Sequence, residues 1–373
     1  MTNLNNLTFV FIGGEHQVLH LAPVAAELSL CHPDITVCCI CVAYRTAAAL
    51  RAVAAAMRAS AMIITQIAWP WAGRIAARVT GIRSAAKGPL LARIRWMARK
   101  SQAIIVPERT SAALRWLGWR RPLVHFRHGA GDRAPSSEAK LRAFDAIFVP
   151  GQKDIERAVA QGLGHKKLSA VSYVKMDYLQ ALPARPRLFD NDRPTVFYNP
   201  HFDPALSSIG IARDVIARFR EQERYNLVFA PHVRTFENLH LGPRTRWLEL
   251  AVPGHIAVDL DSPRLFDMTY ARAADIYLGD MSSQLHEFLA KPRPVAFVNA
   301  HGANWQDDPR YAGWHLGEVA SGADEVLAAV DRALERHPDM IQRQEKAIVF
   351  AFGCYDGAIK RASHQLLHTL QSL

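Results

Sequence analysis

The sequence predicts an α/β protein with two open, mainly parallel sheets, one in each half of the chain. Three observations carry that expectation. Short runs of β-branched and aromatic residues alternate with helical periodicity along the whole length. Several of these runs stop at glycine, proline or histidine. The 373 residues, half of them hydrophobic, exceed what one core ordinarily holds, so two domains are expected.

In the first half, Leu7–Ile12 (LTFVFI) reads as a buried strand that Gly13-Gly14-Glu15-His16 breaks before a helix over Leu19–Leu30. Ligands of an open α/β sheet approach the carboxyl ends of its strands. Gly13 and Gly14 there permit close approach and His16 faces the ligand; in the plainer reading the glycines only end the strand. Ile35–Val42 is a second strand and Thr46–Arg58 an alanine-rich helix. Beyond a basic stretch come strand Ile104–Val106, helix Ser111–Leu117 and strand Leu123–Phe126. Arg127-His128-Gly129-Ala130-Gly131-Asp132 comes next, where a histidine beside glycines at a strand end suits a general base. Strand Phe144–Val149, helix Asp154–Gln161 and strand Leu168–Val174 complete a first domain over residues 1–182.

Pro183, Pro186 and Pro194 with mixed charges mark a linker over 183–194. The rhythm restarts with strand Thr195–Tyr198, helix Ile211–Gln222 and strand Tyr225–Ala230, which Pro231-His232-Val233-Arg234 closes. Strands at Ile256–Val258, Ile276–Leu278 and Pro294–Val298 and a helix over Asp324–Arg336 fill a second domain over 195–355. The last helix, Gly357–Leu370, is expected to cross back to the first half. After Ile276–Leu278 the chain turns at Gly279-Asp280, passes two serines and resumes helical spacing at Leu285, Phe288 and Leu289. Such a turn aims unpaired amides and the positive end of a helix at a phosphate. Ser282 and Ser283 add hydroxyl donors and Glu287 is placed to accept from ribose hydroxyls, although a serine before a helix also serves simply as a cap.

The net charge of +11 is concentrated. Between Trp69 and Arg121 there are twelve Lys and Arg against one acid, Glu108, so this segment carries the whole excess. Ile75, Val79 and Ile82 share one helical face with Arg74 and Arg78 on another, and Trp96 sits among Arg93, Arg95, Arg99 and Lys100. An anionic membrane surface is the favoured partner, with a solvated helix face and, least favoured, nucleic acid as the alternatives; no nucleic-acid fold signature accompanies the charge. The five cysteines lack zinc-site spacing and are expected to be reduced and buried in a cytoplasmic protein. Residues Met1–Leu7 are too polar for a signal peptide, and Ala61–Ala72 is too short to span a bilayer.

Taken together, Arg127-His128-Gly129, Phe229-Ala230-Pro231-His232, Asp275 through Ser283 to Glu287-Phe288, and Tyr355-Asp356-Gly357 with Arg361 resemble the motifs of the CDP-glycerol glycerophosphotransferase family, which builds teichoic acid and related phosphopolymers at membranes. The resemblance covers about Leu123–Leu370. It implies the GT-B architecture, two Rossmann-like domains facing across a cleft. The chain departs from the family pattern at Met281, at Tyr173-Val174-Lys175-Met176-Asp177 and at Asn199-Pro200-His201-Phe202, positions expected to shape donor and acceptor choice.

By that resemblance the activity is transfer of a glycerol-phosphate or related unit from a nucleotide donor to a hydroxyl of a lipid or glycan acceptor, at the cytoplasmic face of the membrane. His128 is the expected base. His232 and Arg234, with Ser282, Ser283 and the helix amides, hold the diphosphate; Asp280 fixes the serine loop; and Gly13, Gly14, His16 and Asp132 lie on the acceptor side. No metal or cofactor is implied. Ala22-Pro23-Val24-Ala25-Ala26-Glu27-Leu28 also looks like the first helix of UDP-N-acetylglucosamine 2-epimerases, so a nucleotide-sugar glycosyltransferase or epimerase is the alternative. A non-catalytic basic tether for membrane or nucleic acid is the second alternative.

Overall fold

The computed structural model describes residues 4–71, 87–129, 139–164, 167–183, 186–236, 241–280 and 282–373. They form two compact units. The first holds the described residues up to Leu182 together with Phe350–Leu373, and the second holds Pro183–Val349.

The first unit is built on seven strands: β1 (Asn6–Phe11), β2 (Thr36–Cys41), β3 (Ile63–Gln66), β4 (Ala103–Val106), β5 (Leu123–Phe126), β6 (Ala146–Val149) and β7 (Leu168–Ala170). All are parallel, in the order β3-β2-β1-β4-β5-β6-β7. The second unit repeats the plan with six: β8 (Thr195–Asn199), β9 (Asn226–Phe229), β10 (Ile256–Val258), β11 (Ile276–Gly279), β12 (Val295–Val298) and β13 (Glu318–Ala320), parallel in the order β10-β9-β8-β11-β12-β13. Parallel sheets are covered on both faces, which is why the central strands read as unbroken apolar runs; β4, β5, β6, β9, β11 and β12 are buried at every residue. Strand order reverses between β1 and β4 and again between β8 and β11, and at such a switch point the flanking loops part to leave a crevice.

The carboxy-terminal residues pack within the first unit. Tyr173 stacks on Phe352 with ring centroids 4.2 Å apart. The Asp177 carboxylate accepts from the backbone N–H groups of Gly357 (3.1 Å) and Ile359 (2.8 Å), capping the helix Ala358–Ser372, whose Ala358, Ala362, Leu366 and Leu370 are buried. Gly151 admits this contact, because a Cβ there would lie 2.6 Å from backbone atoms of Ala351.

Four local expectations are corrected. The strand expected over Leu168–Val174 ends at Ala170, since Ser172 adopts φ +69° and Val174–Gln180 is a helix. Ser111–Leu117 is not an α-helix; a 3-10 helix spans Arg109–Leu114 instead. The edge strands β3 and β13 and the helix His337–Phe352 carry weaker or more polar patterns and escape a sequence reading. Cys31 and Cys354 are exposed, whereas burial pushes the thiols of Cys38, Cys39 and Cys41 on β2 above the ordinary range. All five are free. Among the described residues no helix is long and apolar enough to cross a membrane.

Candidate functional site

In the first unit the switch point gathers side chains from the carboxyl ends of β1, β4 and β5. Gly14 has φ +113°, a conformation open to glycine, and turns the chain into the 3-10 helix Glu15–Gln17. Gly13 makes room for its neighbour: a Cβ would fall 2.1 Å from Oε1 of Gln17. Gln17 is thereby folded over the turn and its Nε2 lies 3.4 Å from Nε2 of His128. The His16 and His20 rings stand 5.9 and 6.1 Å from that of His128.

The protonation of His128 is set by its partners. Its Nδ1 lies 2.5 Å from the carbonyl oxygen of Pro107, at the end of β4, and a carbonyl can only accept. Nδ1 therefore carries the hydrogen and Nε2 presents its lone pair to the crevice. Burial, reinforced by the nearby Arg127 and Arg109 charges, lowers the His128 pKa despite the opposing carbonyl, so the ring is neutral at physiological pH. His20 is shifted the same way and further, by burial and then by Lys175, His128 and His16. Behind the site, buried Glu108 has its pKa pushed up to about 8 by desolvation and remains protonated at neutral pH, with Ser111 donating to it.

Arg127 is held from beneath. Its Nε lies 3.1 Å from Oδ1 of fully buried Asp154, which Arg157 also approaches at 3.7 Å. Asp132, expected on the acceptor side, falls outside the described residues.

In the second unit β8 and β9 end in matching Pro-His pairs, Pro200-His201 and Pro231-His232, brought side by side by the pairing of Tyr198 with Phe229. Nδ1 of His232 accepts from the backbone N–H of Arg234 (3.2 Å) and Nδ1 of His201 from that of Asp203 (3.1 Å). In both rings the hydrogen consequently sits on Nε2, the reverse of His128. The rings are 5.9 Å apart, Phe202 packs against both, and the Arg234 guanidinium lies 4.2 Å over Phe202. Two imidazole N–H groups and a guanidinium at the ends of neighbouring strands form a set of donors suited to an anion.

Asp280 organises the loops behind them. It is fully buried at the end of β11, and its Oδ2 accepts from the backbone N–H groups of His201 and Ser208, each at 2.9 Å. Desolvation outweighs these bonds and the His301 charge, raising its pKa to about 6. The native state thus favours the protonated carboxyl, whereas the unfolded chain ionises near pH 4. Stability from this group is complete below about pH 4 and is lost as the pH rises to about 6, by on the order of 3 kcal/mol. Asp280→Asn, whose amide oxygen can accept both N–H groups, is expected to flatten that part of a stability-against-pH curve measured by urea unfolding. An unchanged slope would show that another group titrates there.

The serine turn takes a plainer form than the sequence suggested. Ser282 is the N-cap of a helix over Ser283–Phe288, its Oγ accepting from the backbone N–H of Gln284 at 3.2 Å. Six residues amount to less than two turns, so the helix end offers little dipole. Glu287, expected to read a ribose, is buried at 4 % exposure. The Ser283 side chain and Met281 lie outside the described residues.

Sequence reasoning passed over Gln17, His20 and Glu108 and noted His201 only as a departure from a motif. The repeated Pro-His at the ends of β8 and β9 was the available signal for His201. None marks Gln17, whose part depends on the missing Cβ of Gly13.

No protein-family model and no curated protein matches the sequence. Solved structures do match. A Listeria monocytogenes structure described as a candidate UDP-N-acetylglucosamine 2-epimerase aligns over 100 % of this chain and 98 % of its own, at 14 % identity and a TM-score of 0.65. The wall teichoic acid polymerase TagF with CDPG aligns over 99 % of this chain and 89 % of its own, at 12 % identity and a TM-score of 0.62. The Neisseria meningitidis UDP-GlcNAc 2-epimerase bound to UDP-GlcNAc aligns over 99 % and 100 %, at 13 % identity and a TM-score of 0.56. Identities this low speak to architecture, and what they establish is a fold of two parallel-sheet α/β domains of the GT-B type.

Proposed function

We propose that the protein is an enzyme of envelope glycan or phosphopolymer synthesis that uses a nucleotide-activated donor, transferring a glycerol-phosphate or related unit to an acceptor hydroxyl. The observation that carries the reading is the opposed hydrogen placement: a bare Nε2 on His128 against Nε2–H groups on His232 and His201. A transferase needs one group to remove a proton and others to stabilise charge, and the two kinds of ring suit those two tasks. In this reading the first unit handles the acceptor and the second the donor. Such a transfer joins the acceptor oxygen to the distal phosphorus of the donor while a base takes the hydroxyl proton, the task for which Nε2 of His128 is suited. The bond from that phosphorus to the bridging oxygen breaks, and the nucleoside monophosphate leaves with its new charge met by Arg234, His232 and His201. Support also comes from the fold relatives, which include a TagF structure with CDPG.

Sugar epimerisation is the second reading, favoured by epimerase structures that align over nearly their whole length. Incubation with CDP-glycerol and with UDP-GlcNAc separates the two, once a thermal-shift screen of CDP, UDP and CMP has identified the nucleotide that raises the melting temperature. Release of CMP with phosphate transfer supports the first reading, and an epimerised sugar seen by NMR supports the second. No shift with any nucleotide would remove both.

A further inference from the structure

In the first unit a basic surface with no carboxylate partners among the described residues lies on the solvent side of the helix Lys87–Met97 and the turns that come after it. Leu90, Leu91 and Ile94 anchor that helix in the core, which turns Arg93, Arg95 and Trp96 outward, with Arg99 and Lys100 exposed just beyond it. Trp96 is 64 % exposed and Arg99 lies 4.3 Å over its ring. The turn at Trp116-Leu117-Gly118 approaches this helix, since a Cβ on Gly118 would stand 3.6 Å from Nη2 of Arg95. That turn leaves Trp116 90 % exposed beside exposed Arg120 and Arg121. Arg93 donates to the Ala68 carbonyl at 3.3 Å, and three residues along the chain Trp71 is 71 % exposed.

Arg93, Arg95, Arg99, Lys100, Arg120 and Arg121 form no ion pair with a carboxylate among the described residues; Arg115, by contrast, is taken by Asp145. The one acid of this stretch, Glu108, is buried and protonated at neutral pH. The cations are well hydrated as they stand, but the two indoles beside them leave apolar area uncovered, and apolar area rimmed by charge marks a surface that takes a partner. Tryptophan is the side chain most at home at the level of lipid headgroups, where its ring is shielded and its N–H stays wet.

We infer that this face, carried by Trp96, Trp116 and the cations Arg93, Arg95, Arg99 and Lys100, docks on an anionic lipid surface. The cations approach the headgroup phosphates and the two indoles enter the interfacial layer. Lipid is favoured over nucleic acid because the rings and cations project from a helix face and a turn. A strand-binding surface instead tracks a backbone with rings at stacking distance, and no such aromatic row is present among the described residues.

The test uses the full chain with vesicles of phosphatidylcholine, with or without about 30 mol per cent phosphatidylglycerol, in co-sedimentation and tryptophan emission. Binding is expected to the anionic vesicles alone, with a blue shift, and to weaken sharply between about 0.1 and about 0.5 M salt. Arg93→Gln, Arg95→Gln, Arg99→Gln and Lys100→Gln combined are expected to lower partitioning by roughly a thousandfold. Trp96→Ala with Trp116→Ala is expected to remove the blue shift. All six positions are solvent-facing, so unchanged melting temperatures confirm folding, and the exposed cations Arg336, Arg343 and Lys346 of the second unit, neutralised as a control, should leave binding intact. Equal binding to neutral vesicles, parental binding by the fourfold variant, or tighter binding of an oligonucleotide at the same salt would overturn the inference.

Discussion

His128→Ala is expected to fold, to bind nucleotide as the parent does, and to turn over at least about a hundredfold more slowly, the usual cost of removing a general base. The expectation rests on three features of one ring. The Pro107 carbonyl fixes the hydrogen on Nδ1, the lone pair on Nε2 meets among the described residues nothing stronger than a 3.4 Å contact from Gln17, and burial keeps the ring neutral. Because the pKa is lowered, the acidic limb of the rate profile should fall below the ordinary histidine range, with activity constant as the pH rises through 7. Single-turnover rates beside calorimetric nucleotide affinity check this. Parental turnover removes His128 from the chemistry. A cellular activity that survives His128→Ala but not neutralisation of Arg93, Arg95, Arg99 and Lys100 would point instead to a tether without catalysis.

Asp154→Ala should cost about 3 kcal/mol of stability, the lower end of the range for deleting one member of a buried ion pair. Asp154 is completely buried, whereas Arg127 and Arg157 each keep 13 % side-chain exposure and can recover part of their hydration, which argues against the upper end. The loss appears as a lower urea midpoint with unchanged slope. Since Arg127 precedes His128, the variant should also turn over more slowly than its folded fraction accounts for. A midpoint within experimental scatter of the parent would show that the arginines are satisfied without Asp154.

Both predictions depend on residues that the sequence made visible to different degrees. His128 is legible because it comes after an apolar run and precedes a glycine, and a strand end in an open sheet is exposed to ligand. His232 is legible for the same reason, and the central strands declare themselves by being apolar throughout. Asp154 looks like any acid in the first turn of a helix, and nothing in its neighbourhood announces that it is buried beneath an arginine that follows β5. Ser282 is legible as a helix cap, one of the two readings its pattern allows, and its hydroxyl does accept as a cap while its hydrogen is left for another acceptor.

Local sequence by itself determined the central strands, most of the helices between them, the two-sheet α/β class, and the strand ends where chemistry can occur, because periodicity and chain reversal are properties of a few adjacent residues. Tertiary structure alone decided which nitrogen of each histidine holds its hydrogen, which acids are buried and protonated, and that Trp96 and Trp116 stand in water among unpaired cations. Those outcomes are set by atoms distant in the chain: the Pro107 carbonyl for His128, the packing that desolvates Glu108, and the core that takes Leu90, Leu91 and Ile94 and so turns the opposite helix face outward.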